Sequence, residues 1–376
     1  MTDWYPILWA APTLVFSAVI VGWAAEAAQL YISQGLALAI LAWLQTSPEF
    51  AVEAVIAWQQ KQSFMIANLT GSLRLLVGFG WPLVYFTNAI LGKNKKGGSW
   101  PVIKLPWFNG LEVLILLLSS LYFTLIWFKG SLTVGDSCFL FAIYGLYLVE
   151  LTRLPKGIEE EGEEDLPWVA NKISKMKSKS LGIFSLVFLF GIGAFFLKIS
   201  TPPFLKSLEG LALALGVSSF YFIQWVAPFL SEFPEKVTAF QWARTGKKAP
   251  MAVINMVSSN VVQWTVMAGM IPVVFSLSLK APTPIVFDHV QLREIALTVL
   301  QSFLSILFLM DLELDIWNAT GLLVLWSFQF FFPSLRSLAM ALYGFWIIFE
   351  TISLVRRKKL FYALNLYRSQ KKIEKQ

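Results

Sequence analysis

The 376-residue chain has almost no cysteine or histidine: one of each, Cys138 and His289. A single cysteine excludes an internal disulfide and any cysteine metal cluster. A single histidine argues against a histidine-built metal site. Charge is scarce as well. Asp, Glu, Lys and Arg make up 14% of the residues, against about a quarter in a soluble domain. A His-Glu zinc motif, a nucleophile elbow and a glycine-rich phosphate loop are all missing, which speaks against an enzyme and against a resident cofactor. Alternating strands of the barrel type are missing too, and no basic secretory segment precedes the first apolar stretch, so that stretch is read as a retained span.

What the chain does have is long apolar runs. Hydrophobic residues make up 57% of it. Runs of this length predict an all-α, polytopic membrane protein. Eleven spans are read, at about residues 4–23, 35–58, 64–86, 108–128, 134–151, 181–197, 211–242, 251–279, 295–310, 319–332 and 338–354.

The first ten spans repeat in order. Each half reads as a span, a span with Pro-Glu, a span with Asn and Ser, and two further spans. The fourth and ninth even begin alike, Leu111-Glu112-Val113-Leu114 against Leu292-Arg293-Glu294-Ile295. Five spans per half is an odd number, so the second half must enter from the opposite face, giving two inverted five-helix repeats. The expected layout is residues 1–155 for the first repeat, 156–180 for a charged cytoplasmic loop, and 181–335 for the second repeat. An extra C-terminal transmembrane helix and basic tail occupy 336–376. Lys and Arg concentrate in the linkers 93–104, 153–179 and 244–248 and in the tail from Arg356. That asymmetry puts the N-terminus outside and the C-terminus in the cytoplasm.

The net charge of +7 is therefore read as membrane anchoring, with lipid as a partner and nucleic acid excluded. No organelle-targeting segment is visible, which points to a bacterial plasma membrane. No feature of the sequence bears on oligomeric state.

Two short stretches carry the chemistry: Gln45-Thr46-Ser47-Pro48-Glu49 and Ser231-Glu232-Phe233-Pro234-Glu235. A carboxylate at bilayer depth costs about 2.5–3.5 kcal/mol on insertion scales, so such a residue is a functional candidate. Proline before the acid leaves a carbonyl four residues back without its N–H, here Leu44 and Leu230. The following spans add Asn68, Ser72, Asn255, Ser259 and Gln263. Carboxylates, free carbonyls, amides and hydroxyls together suit a hard cation, and calcium takes about six to eight such oxygens. Two opposing acids neutralise one divalent ion, and the same acids can hold protons or monovalent ions instead.

These segments resemble the two alpha repeats of the sodium/calcium exchanger superfamily of cation antiporters. The resemblance implies that Glu49 and Glu235 are the central cation-coordinating carboxylates. Ser72 and Ser259 then match serines of flanking sites, Gln45 and Ser231 match a threonine, and Gln263 matches an Asp or Asn. Together with Thr46, Ser47, Glu232, Asn68 and Asn255 they form the expected ligand set. The implied function is secondary active exchange of calcium against sodium or protons, by alternating access at the membrane midplane. Another cation as substrate, or a membrane scaffold retaining the fold without transport, are the rival readings.

Several positions depart from the family pattern. Leu76 stands where an Asn is usual, and Glu232 stands where a serine is usual. Glu53 adds an acid one turn beyond Glu49, while Arg74 and Lys236 add positive charge within spans. Glu53 and Glu232 are either ion ligands or counter-ions for Arg74 and Lys236. Arg74 is either a structural ion pair or a substitute for a bound monovalent cation. The acidic run 159–165 is read as solvated charge in preference to a regulatory calcium site. The basic tail sets orientation or lies on anionic lipid.

Overall fold

A backbone in hydrocarbon must satisfy its own hydrogen bonds, so long apolar runs close into helices. The computed structural model describes residues 4–28, 43, 45–92, 100–153, 168–176 and 178–373. Among these, eight continuous helical stretches are long and apolar enough to cross a membrane.

The first half begins with α1 (Ile7–Ala28) and α2 (Ser47–Trp58). Then α3 (Gln62–Leu75) runs through a π-helical turn, Leu76–Gly80, into α4 (Trp81–Leu91). A two-residue strand β1 (Ile103–Lys104), helix α5 (Gly110–Lys129), strand β2 (Ser131–Leu132) and helix α6 (Val134–Leu151) complete it. Thr133 caps α6 reciprocally with Asp136, which fixes where that helix starts.

The connecting segment contains the short helix α7 (Trp168–Ser174), which packs against α1 and α8 (Lys179–Ala214). The second half continues with α9 (Ser219–Ser231), α10 (Phe233–Thr245) and α11 (Ala249–Val262). A second π-helical turn, Gln263–Met267, leads into α12 (Ala268–Leu279). Strand β3 (Ile285–Val286), α13 (His289–Phe308), β4 (Glu313–Leu314) and α14 (Ile316–Phe331) follow. Helix α15 (Arg336–Arg356) is the extra span, and the tail forms α16 (Tyr362–Ile373).

The halves match element by element. Both third-position spans are interrupted by a π-helical turn, and the turns begin at corresponding residues, Leu76 and Gln263, each four past the matched serine. Two tiny antiparallel ladders fix the relative direction. Strand β1, after the third span, pairs with β4, after the ninth; β2, after the fourth, pairs with β3, after the eighth. Paired strands share a face, and α5 separates β1 from β2 by a 20-residue helix, about 30 Å. The third and eighth spans therefore end on opposite faces, which is the arrangement of an inverted duplication.

Packing follows the same exchange. Helix α2 lies on α12, and α10 lies on α4, so each post-proline segment packs against the other half. Helix α3 lies against α9. Gly71 permits that approach, because a Cβ there would run into the carbonyl of Gln224.

Three expectations need correction. The sixth span does not stop near residue 197: α8 is one helix of 36 residues to Ala214, and the seventh span starts at Ser219. Pro202 and Pro203 lie inside it. The Ser200 and Thr201 hydroxyls bond back onto Phe196 O and Leu197 O of this helix, whereas the carbonyls that the two prolines free are those of Lys198 and Ile199. Residues 156–180 are not purely loop, since α7 falls within them. Arg336, at the outer end of the extra span where the charge asymmetry expects an interfacial base, is fully buried. The residues 35–42, Leu44 and the acidic run 159–165 lie outside the described residues.

Candidate functional site

Proline before an acid starts a helix on that acid. Pro48 and Pro234 sit at the second position of α2 and α10, where a missing N–H costs nothing. Glu49 and Glu235 follow in the first turn of their helices, at the positive end of the helix dipole. Thr46 and Glu232 hold the preceding cap positions. The Thr46 carbonyl accepts from the N–H groups of Glu49 and Phe50 at 3.0 and 3.1 Å. Glu49, Glu232 and Glu235 are all at most 2% exposed.

Glu232 is the hub. Its Oε1 accepts from the Ser72 hydroxyl and, at 2.9 Å, from Gln263 Nε2. Its Oε2 is ion-paired with Lys236 one turn along. Gln263 Nε2 also donates to Glu49 Oε2 at 2.8 Å. One amide from the second half therefore joins an acid of the first half to the hub. Glu49 feels both Glu232 and Lys236, and so does Glu235.

Several oxygens here have no protein partner. Both carboxylate oxygens of Glu235, Oε1 of Glu49 and Oε1 of Gln263 are buried without a hydrogen-bond partner among the described residues. Ser259 lies close enough to bear on the Glu235 carboxylate, but its hydroxyl is also without a hydrogen bond. Buried polar atoms normally find partners. A set of unused acceptors on three elements fits an ion as the missing partner. No group of three or more acidic, histidine or cysteine side chains in a metal-holding arrangement occurs among the described residues. A cation here would combine carboxylates with amide and hydroxyl oxygens.

The remaining predicted ligands lie around this centre in separate contacts. Asn68 Nδ2 donates to Glu53 Oε2 at 2.6 Å. Asn255 Nδ2 donates across the halves to Gln45 Oε1 at 3.0 Å. The Oδ1 atoms of both asparagines are left without a partner. Ser231 turns its hydroxyl back onto Ala227 O at 3.0 Å, and Thr46 does the same toward Trp43 O. Ser47 begins α2 and is half-buried. Leu76, in place of an amide, is fully buried and adds no oxygen.

Arg74 is not part of this centre. Its Nη2 reaches Glu294 Oε2 at 2.7 Å and its Nη1 reaches Gln329 Oε1 at 2.8 Å, with the guanidinium over the Trp225 ring. Arg336 pairs with the other oxygen of Glu294 and donates to Gln224 Oε1 at 2.9 Å. Gln224 bridges onward to Thr70 and Glu294, both at 3.0 Å. Glu53 is thus no counter-ion to Arg74; Glu294 is. The sequence reading missed Arg336 because it borders a linker. It missed Glu294 as a partner because α13 starts at His289, six residues before the expected span.

The sodium/calcium exchanger protein family matches residues 4–153 and 185–335, one segment for each half. The crystal structure of the H+/Ca2+ exchanger CAX superposes with a TM-score of 0.87 at 28% identity, over 97% of this chain and 90% of that one. The sodium-calcium exchanger NCX_Mj, soaked with 10 mM Na+ and zero Ca2+, gives a TM-score of 0.55 at 19% identity, over 88% and 98%. Its form soaked with 2.5 mM Na+ and 0.1 mM Ca2+ gives 0.54 at 18%, over 86% and 95%. None of the curated protein sequences matches the chain.

Proposed function

The chain belongs to the sodium/calcium exchanger protein family, and from that premise we propose that it is a secondary cation antiporter exchanging calcium against protons. The single observation that carries the reading is the shared amide. Gln263 of one repeat bonds Glu49 of the other and Glu232 at once, while Glu235 beside them has no partner. Carboxylates of both halves, Glu49 and Glu232, are thereby linked at helix breaks. Rocking of one part against another would alternate their exposure.

Protons are favoured over sodium as the coupling ion for two reasons. The closer structural likeness is to a protein described as an H+/Ca2+ exchanger. Sodium also needs neutral oxygens, and Leu76 stands here in place of an amide and offers none. A carboxylate needs nothing further to take up a proton. Glu49 and Glu235 are the exchange groups, with Ser259, Asn68, Asn255 and Gln45 supplying further oxygens and Gln263 donating to the acids. The excess of basic linkers supports an outside N-terminus and a cytoplasmic C-terminus, and a bacterial plasma membrane is the proposed location.

Calcium uptake into proteoliposomes, driven in turn by a proton and a sodium gradient, tests this. The proton gradient should drive uptake, and Glu49→Gln and Glu235→Gln should each abolish it. Normal uptake in both variants would remove the site assignment. Flux of another cation alone would change the substrate. No flux of any cation would favour a membrane regulator retaining the exchanger fold.

A further inference from the structure

The chain carries its own cation into the exchange site. Lys236 follows Glu235 directly and lies one helical turn beyond Glu232, so α10 aims it back at the cap of its own helix. Its ammonium pairs with Glu232 Oε2, and its side chain is 5% exposed. Glu232 in turn holds Ser72 of the first half and Gln263 of the second. The ammonium therefore stands among three carboxylates: Glu232 in direct contact, and Glu49 and Glu235 within electrostatic reach.

We propose that Lys236 is a tethered monovalent cation that cancels Glu232 and sets the exchanged charge at two per cycle. This rests on the antiport reading above. Three carboxylates alone would present three negative charges and call for three positive ones in each loaded state. With one charge cancelled from within, Glu49 and Glu235 remain. They are matched by one divalent ion or by two monovalent ions, protons included. Glu53 is outside this count: it bonds Asn68 and touches none of the three acids. Arg74 is outside it too, since Glu294 neutralises it elsewhere.

The ion pair also explains two departures from the family pattern together. An acid at position 232, where a serine is usual, would leave excess charge in the site. A lysine four residues later on the same helix removes that excess. Neither substitution makes electrostatic sense without the other.

The count is read by measuring coupling stoichiometry and calcium binding on the full-length protein. In proteoliposomes, wild-type exchange should move two charges each way, so clamping the membrane potential should leave calcium flux unchanged. Lys236→Met frees Glu232: flux should become sensitive to potential, with three monovalent charges countering each calcium. In detergent, calcium binding to Lys236→Met should tighten by about tenfold or more, because a repelling charge is gone. The double variant Glu232→Gln/Lys236→Met removes both charges and should return to the wild-type count. Lys236→Arg should keep it whatever its rate. A purely structural lysine would alter stability or rate and leave the charge count alone.

Two-charge coupling in Lys236→Met, or three-charge coupling in the wild type, would overturn the proposal. If Lys236→Met does not fold, the wild-type count and the double variant decide it. Calcium binding without flux in the wild type would instead defeat the antiport reading, and the titrations would still show whether Lys236 offsets Glu232.

Discussion

Gln263 Nε2 lies 2.8 Å from Glu49 Oε2 and 2.9 Å from Glu232 Oε1, so one side chain satisfies two acids contributed by different repeats. This amide does part of what a bound cation would do: it gives positive hydrogen-bond character to two buried carboxylates. Its own oxygen has no partner. The position is also where the second π-helical turn begins, and such turns often mark functional sites because they re-aim side chains.

Replacing Gln263 by Leu should therefore hurt most when calcium is absent. Removing a donor from buried acceptors costs about 1–3 kcal/mol. Thermal unfolding in detergent should show that loss without calcium, and added calcium should recover more stability in Gln263→Leu than in the wild type. An equal loss with and without calcium would mean that the Gln263 oxygen stays in the loaded site as a ligand.

Glu53 separates the acids that exchange ions from one that packs. It bonds Asn68 at 2.6 Å and has no contact with the hub. A glutamine offers the same acceptor to Asn68. Glu53→Gln should keep calcium flux within about twofold of wild type and leave charge coupling unchanged, whereas Glu49→Gln, one turn earlier, should abolish flux. Loss of flux in Glu53→Gln would place the exchange path through Asn68.

The Arg74–Glu294–Arg336 cluster makes a different prediction, about stability. Two guanidiniums share one carboxylate, and all three side chains are fully buried. Breaking a buried pair leaves uncompensated charge, at about 3–5 kcal/mol. Glu294→Gln should be the worst single change, because it strands both arginines. Arg74→Met should cost less, because Glu294 keeps Arg336. Melting temperatures in one detergent rank them, and the reverse order would show that Arg336 does not need Glu294.

What could be read from the residues was whatever is local along the chain. Pro48-Glu49 and Pro234-Glu235 pointed to breaks in two spans, and the structure starts a new helix at each, with the proline in its first turn. The duplication was visible because the order of polar residues recurs, and the ladders β1–β4 and β2–β3 bear it out. What could not be read was long-range. Arg74, Glu294 and Arg336 come from three distant spans, and no periodicity links them. The length of α8 was not legible either: the span read at 181–197 ends before Pro202-Pro203, which the helix carries inside it. The Lys236–Glu232 pair lies between these cases: the sequence left Glu232 as either ion ligand or counter-ion, and the structure shows the pair.

The basic tail supplies the last test. Helix α16 does not simply trail from the last span. The Ala363 N–H bonds Met310 O at 2.9 Å, the Tyr367 hydroxyl donates to Glu150 Oε2 at 3.0 Å, and Lys371 pairs with the same oxygen. Gly110 lies so close that a Cβ would strike the Ala363 carbonyl. The helix is therefore strapped across the ends of α5 and α6 by specific contacts. Losing the Tyr367 hydroxyl and the Lys371 ammonium removes about one net hydrogen bond and a partly exposed ion pair. Tyr367→Phe/Lys371→Ala should then speed hydrogen exchange at the Ala363 amide by about three- to tenfold. If lipid charge held the tail instead, exchange would follow the anionic lipid content of the nanodisc and ignore the double substitution. A tail held by Glu150 gives the opposite pattern, and Glu150→Gln should reproduce part of the loosening with the tail itself unaltered.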